Sequence, residues 1–346
     1  MLKYLILSAY LFSVVPVFSQ KQNEPKYPSV FWEITGNGLK QPSYLFGTMH
    51  VSKKLAFHLS DSFYTAMQRC DMVALELNPF FWQRDMMKME EAQLSMTAFY
   101  GAQVDSYLRE VSFSIRKFDD NLKNALAEEP SIINGLLYRT FMPQADFEEN
   151  TYLDLYIYQT GRKLGKKAGG VEDYYQTQQI VMDAYKDMAK ERSKNKAPGY
   201  DEQEPYYDIQ TKIEEAYKRG NLDLMDSLQK KTETSVAFNE KFLYLRNEIQ
   251  ANSIDTILKK NSLFVGVGAA HLPGSRGIIE LLRKKGYILR PIFMPDRDAT
   301  KKDETDKIKV PVVFTSVTTQ DGAVAMQLPG PLYNRNGTAT YVYSGY

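Results

Sequence analysis

Apolar residues in this chain form short dense runs near its two ends and follow helical spacing between them. Val30-Phe31-Trp32-Glu33-Ile34 is β-branched and aromatic and predicts a strand. Ser43-Tyr44-Leu45-Phe46 predicts a second, paired with the first as a hairpin across the turn signal Gly36-Asn37-Gly38. Ser60-Asp61-Ser62 reads as the cap of a helix over Phe63 to Cys70. Met72-Val73-Ala74-Leu75-Glu76-Leu77 is a short apolar run with a carboxylate near its end, a buried-strand signature. From Pro79 to about Gly165 the spacing is mostly helical, as in Met86 to Met96 and Phe113 to Ala127.

Lys167-Ala168-Gly169-Gly170-Val171-Glu172 predicts a small strand opening into a helix from Tyr174 to Ala189. The charged stretch from Lys190 to Gly199 reads as a solvated break. Helical patterns resume over Tyr206 to Lys218 and Leu222 to Ile257. Ser262-Leu263-Phe264-Val265-Gly266-Val267 is the clearest buried strand. After the turn Leu272-Pro273-Gly274 come an amphipathic helix, Arg276 to Lys285, with Gly286 as C-cap, and a final strand, Tyr287 to Phe293. Residues 296–308 read as a charged linker, and Val310 to Tyr346 as Thr-, Val- and Gly-rich β structure. The expected fold class is α/β: a small mixed sheet with flanking helices and a large helical insertion, plus a short β-rich C-terminal tail. The expected organisation is a signal peptide over 1–20, the α/β domain over 28–295, and a linker and tail over 296–346.

Composition adds mainly exclusions. Among 346 residues, Lys plus Arg (43) balances Asp plus Glu (42), so the broad basic footprint of a nucleic-acid binder is absent. The 24 Tyr and 18 Phe have no interleaved basic stripe and read as core and groove packing. Met1-Leu2-Lys3, the apolar run Tyr4 to Val15 and the polar stretch after Ser19 have the layout of a cleavable secretory signal. An uncleaved anchor is the alternative, although the run is short for a bilayer span. No long apolar segment follows, so the expectation is export to periplasm or exterior without a transmembrane anchor after cleavage. Cys70 is the only cysteine, which rules out an intramolecular disulfide, and its apolar helix-end setting reads as a buried structural thiol.

The candidate chemistry lies at strand ends. Of three histidines, His50 and His271 share a frame, an apolar strand followed by Gly-x-x-His, in Gly47-Thr48-Met49-His50 and Gly268-Ala269-Ala270-His271. Ligands of α/β sheets gather at the carboxyl ends of strands. Taken singly, either segment is more often a structural histidine, but two in the same frame point to one site. His58 lacks the frame and reads as a surface residue. Glu76 and Glu172 each close a short apolar strand, where a carboxylate is costly unless paired or liganded. A salt bridge or helix N-terminal charge is the bland reading of each. Two imidazoles with a glutamate also make a donor set for zinc, manganese, cobalt or iron. Arg246-Asn247 lies in a helix strongly apolar on one side, where the Arg meets a buried carboxylate, steadies an oxyanion, or stays on the surface. His-Glu-x-x-His, Cys-rich metal motifs, Gly-x-Ser-x-Gly and the P-loop are absent.

These segments, in this order, resemble the TraB/PrgY/GumN family, which includes the Tiki metalloproteases. Phe31-Trp32-Glu33-Ile34-Thr35-Gly36 with Tyr44 to Val51 is similar to its opening motif, and Val73 to Leu77 to its next. Gly170-Val171-Glu172 with Gln176 and Gln179, the Arg246-Asn247 pair, and Val265 to Gly274 with Gly286-Tyr287 resemble the rest. The resemblance spans about residues 30 to 294. It implies a fold shared with erythromycin-esterase-like (EreA) and ChaN-like proteins and, as in Tiki relatives, a metal-dependent peptidase using a divalent ion (Mn, Co or Zn). It implies His50 and His271 as metal ligands, Glu76 and Glu172 as ligand or general base, and Arg246, beside Asn247, as the group steadying the carbonyl oxyanion. The expected function is thus a secreted metal-dependent hydrolase acting on a peptide or protein substrate. A haem- or iron-binding module, by the ChaN analogy, and a catalytically silent member of the fold are the alternatives.

Overall fold

The computed structural model describes residues 25–49, 59–79, 153–194, 206–231, 235–294, 300–309, 314–318, 322–328, 333–335 and 338–342. The predicted leader, His50, His58, the helices over Met86 to Met96 and Phe113 to Ala127, and the second half of the charged break from Lys190 to Gly199 lie outside those residues.

The fold is mixed α/β, centred on a six-stranded sheet. Its strands are β1 (Phe31–Gly36), β2 (Ser43–Thr48), β3 (Met72–Leu75), β4 (Lys167–Gly170), β5 (Leu263–Gly268) and β6 (Tyr287–Ile292), in the order β4-β3-β5-β2-β1-β6. β4, β3, β5 and β2 run parallel, while β1 pairs antiparallel with both β2 and β6. β5 lies at the centre and every one of its residues is buried, which explains its unbroken apolar run. β6 is an edge strand. It alternates buried Tyr287 and Leu289 with exposed Ile288 and Arg290, and it tolerates Pro291. The β1–β2 turn uses left-handed Gly36, Asn37 and Gly38, as the turn signal requires.

Helices cover both faces. Helix α1 (Asp61–Arg69) inserts Phe63 among Phe31, Phe46 and Phe264, with ring centroids 5.0–6.4 Å apart. Beside it lies α2 (Leu153–Lys163), joined to α1 by a bond between the Tyr64 and Tyr156 hydroxyls, 2.9 Å. Gly161 lets α2 close onto β3, because a Cβ there would fall 2.8 Å from Val73 Cγ2. On the opposite face α8 (Ile278–Lys284) packs near β6, with the Arg283 guanidinium over the Trp32 ring. Between these come α3 (Tyr174–Lys194), α4 (Tyr206–Lys218), α5 (Leu222–Lys231), a single turn α6 (Val236–Asn239), and α7 (Arg246–Leu258).

Three predicted elements differ. Helix α3 runs into the charged segment as far as Lys194 instead of stopping at Ala189, because Lys, Glu and Arg are good helix formers. The pattern from Leu222 to Ile257 is not one helix. Ser235 starts a new one by accepting from the Phe238 N–H, and a π-helical turn over Glu240–Leu245 precedes α7. The charged stretch after 296 contains a helix, α9 (Thr300–Asp306), which docks on α1 and α2. Asp61 accepts from the Lys301 N–H, Lys301 Nζ donates to Thr65, and Asp306 accepts from Tyr156 and Lys163. The tail is β-rich, as predicted, with hairpins of β7 (Thr315–Thr318) with β8 (Ala325–Leu328) and of β9 (Tyr333–Arg335) with β10 (Thr338–Val342).

Candidate active site

All four parallel strands end at one edge of the sheet, and the predicted residues follow those ends. Glu76 comes directly after β3, Glu172 two residues after β4, and His271 sits in a 3-10 turn (Ala269–His271) after β5. β2 ends at Thr48, in register with Gly268 of β5. His50, two residues further along the chain, lies outside the described residues.

The glycine of the first Gly-x-x-His segment makes a close approach to the second. A Cβ on Gly47 would lie 3.1 Å from Leu272 and 3.2 Å from the Ala269 backbone, so the first segment rests directly on the second. The Gly47 carbonyl accepts from the buried Tyr217 hydroxyl at 2.9 Å, and Thr48 Oγ1 donates to buried Asp154 at 2.8 Å. The Gly268 N–H donates to Glu76 Oε1 at 2.8 Å. Beyond the strands, the Glu172 N–H donates to the Glu76 carbonyl at 2.8 Å, which continues the β3–β4 ladder and aligns the two glutamates. Gly170 makes room for this crossing, since a Cβ there would fall 2.8 Å from the Asn78 nitrogen.

Helix α7 supplies the rest. Its buried side carries Arg246, Asn247, Gln250, Ala251, Ile254 and Leu258, with the polar members in its first turn and a half. Arg246 Nη2 donates to Glu76 Oε2 at 2.6 Å and to Glu172 Oε2 at 3.1 Å, and Nε donates to Glu172 Oε1 at 2.9 Å. Nη1 donates to the Phe242 carbonyl at 3.3 Å, and the guanidinium lies over the Phe242 ring. Burial works against the charge of Arg246, but Glu172 and Glu76 outweigh it and hold the guanidinium pKa above its ordinary value. The three side chains are 5% exposed or less, so the group is a buried ion network that one partner cannot leave without stranding the others.

Asn247 fixes the histidine. Its Nδ2 donates to the Arg276 carbonyl at 2.9 Å, which sets the amide orientation and turns Oδ1 toward His271 Nδ1, 2.6 Å away. Oδ1 only accepts, so Nδ1 carries the hydrogen and the neutral ring presents its lone pair at Nε2. Nε2 lies 3.5 Å from Glu76 Oε1. Two electron-rich atoms facing each other attract only with a positive charge between them, a proton or a cation. Glu76 and Glu172 share the guanidinium of Arg246. Arg276 itself forks onto Glu240 with two 2.7 Å bonds and lies over Tyr244, tying the π-helical turn to the loop that holds Asn247.

Imidazole and carboxylate donors of this kind suit a borderline divalent ion. His271 Nε2 and Glu76 Oε1 are one imidazole and one carboxylate donor 3.5 Å apart. Glu172 has its oxygens engaged by Arg246 and Gln250. Among the described residues no group of three or more His, Cys, Asp or Glu is spaced to hold a metal ion. The structure therefore brings Glu76, Glu172, Arg246, Asn247 and His271 together, with Arg246 on the carboxylates and Asn247 on the histidine. Gln250 is the residue the sequence reading missed; its one signal was its position a helical turn after Arg246. Cys70 is buried and apart from this group, and burial pushes its thiol up to about 12.

The profile of the TraB/PrgY/gumN family matches residues 30–291. The chain is also 24% identical over 362 aligned positions to "Metalloprotease TIKI2" of Xenopus tropicalis, a match that takes in 88% of this chain. The chain spans 66% of that relative, just under two thirds of its length. No solved structure matches the chain.

Proposed function

The chain belongs to the TraB/PrgY/gumN family, and from that premise we propose that it is a metal-dependent hydrolase acting on peptide bonds. One observation carries the reading: Asn247 locks the His271 ring so that Nε2 faces Glu76 Oε1 beside the buried ion pairs of Arg246. The relative named as a metalloprotease supports the same reaction class. His271 and Glu76 would hold a manganese, cobalt or zinc ion, with His50 as the further ligand expected from its Gly-x-x-His segment. When bound, such an ion supplies Lewis acidity, lowering the pKa of water and polarising a carbonyl oxygen.

The remaining work falls to the chain's own residues. Glu76 Oε1 accepts from the Gly268 N–H and faces the histidine, so it is held in place as the ligand oxygen beside His271 Nε2. Arg246 holds the other Glu76 oxygen, and its bonds to Glu172 and the Phe242 carbonyl favour a role in fixing Glu76 over one in contacting substrate. The substrate is a peptide or protein met after export, a location supported by the leader-like first 20 residues. Among the described residues no helix is long and apolar enough to cross a membrane.

A peptide-library screen with manganese, cobalt or zinc, and with EDTA, tests the reading. The expected result is cleavage that EDTA abolishes, added ion restores and His271→Ala lacks. Cleavage that survives EDTA, or full activity in His271→Ala, refutes it.

A further inference from the structure

Gln250 is fully buried one turn beyond Arg246, and its Nε2 donates to Glu172 Oε1 at 2.7 Å. Its own carbonyl oxygen meets no hydrogen-bond donor among the described residues. A buried acceptor left unsatisfied is destabilising. An apolar side chain of the same size would fill the space without that penalty. The reverse amide orientation would set Oε1 against Glu172 Oε1, two acceptors in contact, so the N–H contact on Glu172 is what the residue contributes.

That contact reaches the reactive edge through one shared guanidinium. Glu172 Oε1 accepts from both Gln250 and Arg246 Nε, and Glu172 Oε2 accepts from Arg246 Nη2. The same Nη2 holds Glu76 Oε2 at 2.6 Å. Rotation of Glu172 away from the Arg246 fork would turn the guanidinium and draw Glu76 with it. We propose that Gln250 is a positioning residue that commits Glu172 to Arg246 and so keeps Glu76 turned toward His271. Its catalytic consequence rests on the hydrolase reading above; its structural action does not.

Two variants of the full chain separate these levels. Gln250→Met removes the donor and the orphan acceptor together, so its thermal midpoint stays close to that of the wild type. The Arg246 Nε–H resonance, assigned by its loss in Arg246→Lys, should exchange with solvent at least about 10-fold faster in Gln250→Met. In the same variant kcat falls roughly 10-fold or more while KM changes little, the size expected when a supporting hydrogen bond is lost. In Gln250→Glu a second carboxylate faces Glu172, and the repulsion should speed Arg246 Nε–H exchange as well. A residue that merely fills space would, when replaced by a side chain of its own size, leave both the midpoint and the Arg246 signal alone. Unchanged Arg246 exchange in Gln250→Met overturns the proposal. If the wild type cleaves no peptide, the hydrolase reading fails, and the exchange measurement still decides the role of Gln250.

Discussion

Replacing Arg246 with Met removes the positive charge from a site where two carboxylates remain buried. Glu76 and Glu172 have side chains 5% and 1% exposed, and each accepts from the guanidinium at 3.1 Å or less. Losing one partner of such a buried network costs about 3–5 kcal/mol, because desolvated charges are left uncompensated. At roughly 2 °C per kcal/mol for a chain of this size, the midpoint should fall by about 6–10 °C near neutral pH. The mechanism is checked with a second variant. Arg246→Met combined with Glu76→Gln and Glu172→Gln carries no buried charge at these positions and should regain most of the loss. Thermal and urea melts of wild type, single and triple variants measure both differences. A single variant as stable as the wild type, or a triple variant no better than the single, would refute the claim that Arg246 is held by two buried charges. The experiment also bears on function, since lost activity in Arg246→Met reports on the catalytic edge only after its effect on folding is subtracted.

Other substitutions probe neighbouring links. Asn247→Leu should leave the fold intact but release the His271 ring, weakening manganese affinity roughly 10–100-fold by calorimetry; unchanged affinity would remove Asn247 from the site. Gly170→Ala forces a Cβ to within 2.8 Å of the Asn78 backbone and should lower the midpoint clearly, whereas Gly38→Ala, where a Cβ meets nothing within 4 Å, should suffer only from its left-handed backbone. Cys70 has its folded pKa raised by burial from 9.0 to about 12, so the unfolded chain loses this proton first and stability falls as pH rises through that window. Cys70→Ala lacks that contribution, and its stability relative to wild type should improve between about pH 9 and pH 12; a constant difference would count against a buried neutral thiol.

Much of the sheet was legible because its central strands are covered on both faces. Leu263 to Val267 and Ser43 to Phe46 have no side that faces water, so their apolar runs are unbroken. The order β4-β3-β5-β2 was not legible, since parallel neighbours are joined through long connections that carry no pairing signal. Helix α9 was read as linker because its charges look solvated; the residues of α1 and α2 that Lys301 and Asp306 bind lie more than 140 residues away. The π-helical turn before α7 leaves no pattern in a run as apolar as Phe242 to Leu245. In the site, the residues at strand ends could be named from the sequence, but their division of labour could not. Adjacent Arg246 and Asn247 serve different partners, the carboxylates and the histidine, and only the fold separates them. Gln250 escaped because a lone Gln in a helix ordinarily faces solvent.

The central claim is that His271 and Glu76 form the described part of a metal site. Titration of metal-free wild-type chain with manganese, followed by electron paramagnetic resonance, tests it most directly. About one ion should bind per chain, and binding should be lost in His271→Ala and in Glu76→Gln, both checked as folded by their melts. Equal stoichiometry and affinity in His271→Ala, or no binding by the wild type to manganese, cobalt or zinc, would contradict it.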